Sequence, residues 1–364
     1  MRRNAKILTI MGLAAAVILL VFAVAACGDD EETTTSSAAA STESTEAVTT
    51  TSAAATESTV AGGGPEAGKT YKIGITQIVS HPALDATAQG FIAAMAEAGY
   101  VQGENVTYDM QNAQGDMANA TTIAQKFVGD GVDLILSIAT PTSQAAAKAT
   151  SDIPIIFAAV TDPVAAELVT DANAPSGNIT GVSDMLPVEP HLELIKEVVP
   201  DVKTVGLLYN AGETNSVALV EKEKEAAAAM GLEIVEATAA NSSEVLAAAQ
   251  SLVGRCEAIS VLTDNTIVSA LESVVKVCEE NQIPLIAGDI DSVERGAVAA
   301  YAFDYEDHGY QAGLMAAKVL DGTPISDIPV EYAQNLQLAI NELAAEAMGV
   351  TIPDSLKSDA DIAF

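Results

Sequence analysis

From Tyr71 onward, short β-branched apolar runs alternate with longer Ala-rich stretches of helical periodicity, and midway along the chain the same alternation begins again. The first round reads strand "KIGITQIV", helix "LDATAQGFIAAMAEAGY", strand "NVTYDMQN", helix "MANATTIAQKFVGDG", strand "DLILSIA", helix "PTSQAAAKAT", strand "PIIFAAVT". After a pause near "GNITGVSD" come the strands "TVGLLYN", "EIVEATAAN", "AISVLTDN" and "PLIAGDI", separated by "SVALVEKEKEAAAAMG", "SSEVLAAAQSLVG" and "IVSALESVVKVCEEN". Strands separated by helices of this length form parallel sheets through βαβ crossovers. The expectation is an α/β chain of two doubly wound parallel-sheet lobes joined by a hinge, with its functional cleft between the carboxyl ends of the two sheets.

The residues before Tyr71 obey different rules. "MRRNAK" precedes the apolar run "ILTIMGLAAAVILLVFAVAAC", the layout of an export signal, and "VAAC" (Val24–Cys27) resembles a bacterial lipobox ending in a lipidated Cys27. The alternative is a transmembrane anchor, since about 20 apolar residues span a bilayer. Residues 1–27 are thus expected to be a lipoprotein signal peptide. Residues 28–70, too polar and too low in complexity to pack a core, are expected to be a disordered Ser/Thr/Ala-rich tether. "GGPEAGKT" (Gly63–Thr70) fits the phosphate-loop pattern letter for letter. A phosphate loop requires a strand before it and a helix after it. Here a low-complexity tract precedes and the strand "YKIGITQI" follows, so the match is a decoy.

Composition narrows the partners. A formal charge of −34, with 16 Lys and Arg in 364 residues, offers no basic footprint, so no nucleic acid is expected. The acidity suits a crowded extracytoplasmic surface or a saline one. Enzyme chemistry finds no frame: "GVSDM" lacks the second Gly of a nucleophile elbow. His81, His191 and His308 have no metal-ligand companions at the required spacing. No catalytic residue, no metal and no cofactor is expected.

The segments "HPALD", "QNAQGDM", "IATPTSQAA", "AAVTDPVAA", "LLYNAGETNS", "LTDNTIVSALESVVKVCEEN" and "DSVERGAVA" resemble, in this order, the tryptophan/tyrosine-type family of ABC-transporter substrate-binding proteins over about residues 70–350. The resemblance implies a type I periplasmic-binding fold and no enzyme activity. It also implies a small ligand, often an aromatic amino acid (tryptophan, tyrosine or phenylalanine), delivered to an ABC permease whose ATPase is a separate cytoplasmic subunit. The protein would be a monomer held outside the cell membrane by its lipid. A ligand-sensing surface lipoprotein using the same cleft is the alternative. On this reading the first lobe takes residues 71–183 and 303–322 and the second takes 184–302 and 323–364, with crossovers near Ser183–Asp184 and Tyr301–Phe303.

In such lobes each strand's carboxyl end meets a helix amino end, where unpaired N–H groups and partial positive charge collect. "ATPTSQ" (Ala139–Gln144) is such a junction, so Thr140, Thr142 and Ser143 are expected to hold a ligand carboxylate, the alternative being that Thr140 caps the helix. Other strand ends present Gln77, His81, Thr161 and Asp162 in the first lobe. The second presents Asn210, Glu213, Asn215, Ser216, Asp264, Asn265 and Asp289. An amino acid's ammonium needs a carboxylate acceptor. Asp289, Asp264 and Asp162 are the candidates, with Asp289 first because Gly288 beside it leaves backbone room. Ring-sized walls are scarce in a chain without Trp; Tyr209, Tyr301, Phe303, Tyr305 and His81 are the available surfaces. Cys256 precedes one strand and Cys278 ends the following helix, which runs back toward that strand's start. They form either a disulfide, whose loop is worth roughly 3 kcal/mol, or two separate buried thiols.

Overall fold

A computed structural model of the protein describes residues 64–364. Cys27 and nearly all of the expected signal and tether lie outside these residues. Where the phosphate-loop match is described, Lys69 N–H closes a turn on the Glu66 carbonyl at 3.1 Å, and its ammonium lies 4.2 Å from the Tyr71 ring centroid and 3.5 Å from Asp133. The segment leads into a strand, and its lysine anchors it to the domain surface.

The first sheet is built by β1 (Tyr71–Gln77), α1 (Pro82–Glu97), β2 (Val106–Asn112), α2 (Met117–Asp130), β3 (Leu134–Ile138), α3 (Thr140–Ala149), β4 (Ile155–Ala158) and β5 (Ile179–Ser183). β4 is shorter than the apolar run suggests, because Ala159 turns to φ 53° and leaves the sheet. The second sheet follows with α4 (Val188–Val198), β6 (Thr204–Tyr209), α5 (Thr214–Ala229), β7 (Glu233–Thr238), α6 (Val245–Leu252), β8 (Ala258–Val261), α7 (Asn265–Val268), α8 (Leu271–Asn281), β9 (Leu285–Ala287), α9 (Ile290–Glu294) and β10 (Ala299–Ala302). The chain ends in α10 (Tyr305–Leu320), β11 (Glu331–Tyr332), β12 (Gln337–Ile340), α11 (Glu342–Ala347), α12 (Asp354–Asp359) and β13 (Ile362–Ala363).

Strand orders are β11-β5-β4-β3-β1-β2 and β13-β12-β10-β9-β8-β6-β7. All pairs are parallel except β10 with β12. The central strands are buried on both faces, as helix-covered parallel sheets require. β11 pairs with β5, so residues 323–332 run with the first sheet and not, as expected, with the second. Three segments therefore cross between the sheets, 184–187, 303–304 and 333–336, the last of them about ten residues later than the boundary expected at 322/323. The expected helix over "IVSALESVVKVCEEN" is divided into α7 and α8, with Ala270 N–H bonded back to the Ile267 carbonyl at the break.

Cys256 and Cys278 are both free thiols. The Cys256 sulfur lies against Gly206 of β6 and donates to the Leu252 carbonyl at 3.5 Å. Burial pushes the two thiols up to about 11 and about 12. Among the described residues no helix is long and apolar enough to cross a membrane, and no cluster of His, Cys, Asp and Glu fits a metal ion.

α10 returns from the second sheet to pack on α1, backbone against backbone. A Cβ at Gly90 would strike the Glu306 carbonyl, one at Gly309 the Thr87 carbonyl, and one at Gly313 the Ala94 methyl at 2.6 Å. The obstacles at Gly90 and Gly309 are main chain and cannot rotate away. Gly309→Ala is therefore expected to destabilise the fold by about 3 kcal/mol, the upper end for overpacking. An unchanged thermal midpoint would show that the two helices separate without cost.

Candidate functional site

Because the strands of each lobe run parallel, their carboxyl ends and the following helix starts face the same space between the sheets. A narrow cavity lies there, with about 20 Å³ open to the centre of a water molecule, so the lobes stand close together around it. The first lobe lines it with His81, Ala83 and Leu84 at the start of α1, Ala159 after β4, Asp184 after β5, and Tyr305 at the start of α10. The second lobe supplies Asn215 of α5, Thr263 and Asp264 before α7, Asn265 and Val268 within it, and Asp289 before α9.

Three of these residues are buried acids, and each is held by a different device. Asp264 caps α7, accepting Ile267 N–H at 2.8 Å, and also takes Asn210 N–H at 2.6 Å and the Ser216 hydroxyl at 2.5 Å. Asp289 caps α9, accepting Ser292 N–H at 2.7 Å and the Ser292 hydroxyl at 2.6 Å. Asp184 accepts the hydroxyls of Thr161 at 3.0 Å and Tyr305 at 2.9 Å. Burial raises all three acids. For Asp184 the result is about 6, with Tyr305 and Thr161 pulling downward; for Asp264 the nearby Glu213 charge adds to the rise. Burial and the Asp184 charge keep the Tyr305 phenol protonated.

The wall holds no Lys or Arg. His81 is neutral there, its imidazole lowered to about 4 by burial and the Arg295 charge against weaker support from Asp85 and Asn265. A carboxylate offers about four acceptor sites. Asp264 has committed three, and Asp184 and Asp289 two each. At least one acceptor per acid thus remains for a ligand donor, and an ammonium carries three N–H groups. The wall also contains polar atoms without partners: His81 Nδ1, Asn215 Oδ1 and Thr263 Oγ1.

The sequence-predicted residues divide into three groups. His81, Asn215, Asp264, Asn265 and Asp289 meet in the cavity. Gln77, Thr161 and Ser216 stand one layer back: Gln77 donates to Asp85 at 2.6 Å, Thr161 holds Asp184, and Ser216 holds Asp264. Asn210 and Glu213 border a larger neighbouring space with Pro141 and Gln144, and the Glu213 carboxylate takes Asn265, Thr266 and Asn215 donors.

Two expectations are corrected. Thr142 and Ser143 donate to the Ala139 carbonyl, both at 3.0 Å, where Ala139 sits at φ 81°, ψ 152°, a conformation rarely open to any residue but Gly. Their hydroxyls stabilise that junction and are not free donors for an anion. Thr140 keeps an unpartnered, buried hydroxyl. Asp162 accepts Val164 and Ala165 N–H at 3.1 and 2.9 Å as the cap of a turn outside the cavity. Asp184 takes the place foreseen for it. Of the aromatic candidates only Tyr305 and His81 reach the cavity. Tyr209 bonds Glu236 at 2.6 Å, Tyr301 pairs with Leu338 across β10 and β12, and Phe303 stacks on His308. His308 in turn accepts Ala159 N–H at 2.8 Å, fixing the left-handed corner beside the site.

The family model of ABC transporter substrate binding proteins matches residues 72–363. The chain belongs to this family. A tyrosine-binding protein of Clostridioides difficile strain R20291 is 46% identical over 283 residues, spanning 78% of this chain and 82% of its own. The structure of an ABC domain in complex with L-Trp from Streptococcus pneumonia is 37% identical, with TM-score 0.79, covering 81% of this chain and 100% of that one. A ligand-free, open substrate-binding protein from Clostridium difficile is 43% identical, with TM-score 0.62, covering 80% and 98%. As a family member, the protein is the extracytoplasmic, non-enzymatic ligand-binding component of an ABC transporter, built on the type I periplasmic binding fold.

The buried acids set the pH response of the unliganded protein. A carboxyl whose folded pKa is raised stabilises the fold fully below its unfolded value near 4, and that contribution is lost as pH rises through the folded value. For Asp184 the window runs from about 4 to about 6. Melting temperature is expected to fall as pH rises across this window, and Asp184→Asn is expected to flatten the fall. An identical slope in the variant would contradict the placement of Asp184.

Proposed function

We propose that the cavity captures an aromatic amino acid, tyrosine or tryptophan, and presents it to the membrane permease of an ABC importer. The observation carrying this reading is the convergence of Asp184, Asp264 and Asp289 from both lobes on a space with no cationic wall residue. Such a group of acids calls for a ligand ammonium, to which each can accept a charge-assisted bond. Leu84, Val268 and Tyr305 provide the apolar surface for a ring. The ligand carboxylate would meet neutral donors, the free hydroxyl of Thr263 and the helix amino ends of the wall. The names of the relatives support the ligand class. The likeness to the tryptophan complex exceeds that to the open protein despite lower identity, which supports a closing motion about the three crossing segments.

We further infer that the protein acts as a monomer tethered by lipid on Cys27, supported by "VAAC" at the end of the apolar run and by the family's extracytoplasmic place.

Titration calorimetry tests the first proposal. L-tyrosine or L-tryptophan should bind, the corresponding aryl-propionates lacking the amine should not, and Asp289→Asn should weaken binding about 10- to 100-fold, the worth of a hydrogen bond to a charged group. Equal affinity for the deaminated analogues would overturn it. For the anchor, Cys27→Ser is expected to abolish fatty-acid labelling and release the protein from membranes. Continued labelling at the membrane would contradict lipidation at this residue.

A further inference from the structure

Behind the ligand cavity, inside the second lobe, lies a buried polar cluster that the binding reading does not use. Glu223 of α5 is fully buried, and neither carboxyl oxygen reaches a hydrogen-bond partner among the described residues. The Ser260 hydroxyl of β8 pairs with His191 Nε2 of α4 at 2.8 Å, and that nitrogen stands 3.9 Å from Glu223 Oε1. Burial lowers His191 to about 4 and pushes Glu223 up to about 8, with Ser260 pulling Glu223 the other way. At neutral pH the cluster is therefore an uncharged imidazole beside a protonated carboxyl, not an ion pair.

A small space separates Glu223 from the ligand cavity. It is walled by Glu223, Ser260, Ser216 and Asp264 together with apolar side chains, and has about 10 Å³ open to the centre of a water molecule. That is close to the minimum for one water, which also needs two to four polar partners, and this wall supplies them. On its far side the Ser216 hydroxyl donates to Asp264 at 2.5 Å, and Asp264 lines the ligand cavity.

We propose that one resident water occupies this space and bridges Glu223 to the Ser216–Asp264 pair, so that a proton kept on Glu223 is coupled to the charge of Asp264 in the ligand cavity. The donors then run one way: Glu223 O–H to water, water to the Ser216 oxygen, Ser216 O–H to the Asp264 carboxylate. This direction supports ionised Asp264, the form that accepts a ligand ammonium. Ionisation of Glu223 reverses its end of the chain and sets a second negative charge behind Asp264. The other groups around the cluster leave it intact: Tyr209 turns its hydroxyl to Glu236, Lys224 pairs with Glu236 at 2.9 Å, and Glu213 is engaged by Asn265 and Thr266. The inference rests on Asp264 lining the cavity and not on which ligand enters it.

The test uses the ligand-free protein. Folding favours protonated Glu223, so stability should fall as pH rises from the unfolded carboxyl value near 4 to about 8 and level off above it. Glu223→Gln, which keeps the shape and cannot ionise, is expected to remove this step. Asp264→Asn, which removes the neighbouring negative charge, is expected to move it to lower pH. A high-resolution crystal structure should show one ordered water within hydrogen-bonding distance of Glu223 and Ser216. No ordered water there, a step that persists in Glu223→Gln, or a step unmoved in Asp264→Asn would each overturn the proposal. None of these results bears on whether an aromatic amino acid binds.

Discussion

Every polar group of the cleft depends on the shared direction of the parallel strands. A right-handed βαβ repeat sends each strand's carboxyl end and the next helix's amino end to the same side of the sheet, and two such sheets facing each other concentrate those ends in one place. The acids Asp264 and Asp289 are there because helix starts need acceptors for N–H groups that have no partner within the helix. Capping also fixes where their remaining lone pairs point. One residue type thus meets a local need of the backbone and leaves a preoriented acceptor facing the cavity.

The same arrangement explains which parts were legible in the sequence. Strands β1 to β4 and β6 to β9 appear as apolar β-branched runs set between stretches of helical period, a signal spread over many residues, whereas β5 lies in the pause at "GNITGVSD" and β10 (Ala299–Ala302) is a short run that was not read as a strand. β11 has two residues, Glu331 and Tyr332, too few for any period, and so the third crossing was expected too early, at 322/323. Asp184 stands in a stretch without rhythm, where hinge and site share the same residues. Thr142 and Ser143 were misassigned for a different reason. Their hydroxyls are drawn to the Ala139 carbonyl by a backbone conformation that the letter Ala does not announce. Position along a strand end tells which side chains are near the cleft, whereas the bonds they have already made decide which of them are free.

Joining the lobes has its own constraint. α10 belongs in sequence to the far side of a crossing, yet it lies against α1 with only glycines at the closest points. Its first residue, Tyr305, is buried in the cavity and bonded to Asp184, and His308 one turn later holds Ala159. The helix that fastens the crossing to the first lobe therefore also shapes the ligand wall, so a movement of the hinge cannot leave the site unchanged.

Closure has an electrostatic condition. Asp184 comes from the first lobe and Asp264 and Asp289 from the second, so bringing the lobes together assembles three carboxyls in a space that excludes water. Each is already raised by burial, which means that its ionised form is disfavoured there. Without a cation the closed cleft must either keep protons on these acids or hold like charges close together in a poorly solvated space. On the proposed reading, a ligand ammonium would remove both penalties in the closed state and gain far less in the open one, where water screens the same acids. That difference in interaction is what a ligand needs in order to shift a conformational equilibrium. An anionic or neutral molecule of equal size would fill the space and leave the penalty in place, so on that reading charge as well as shape would decide what closes the cleft.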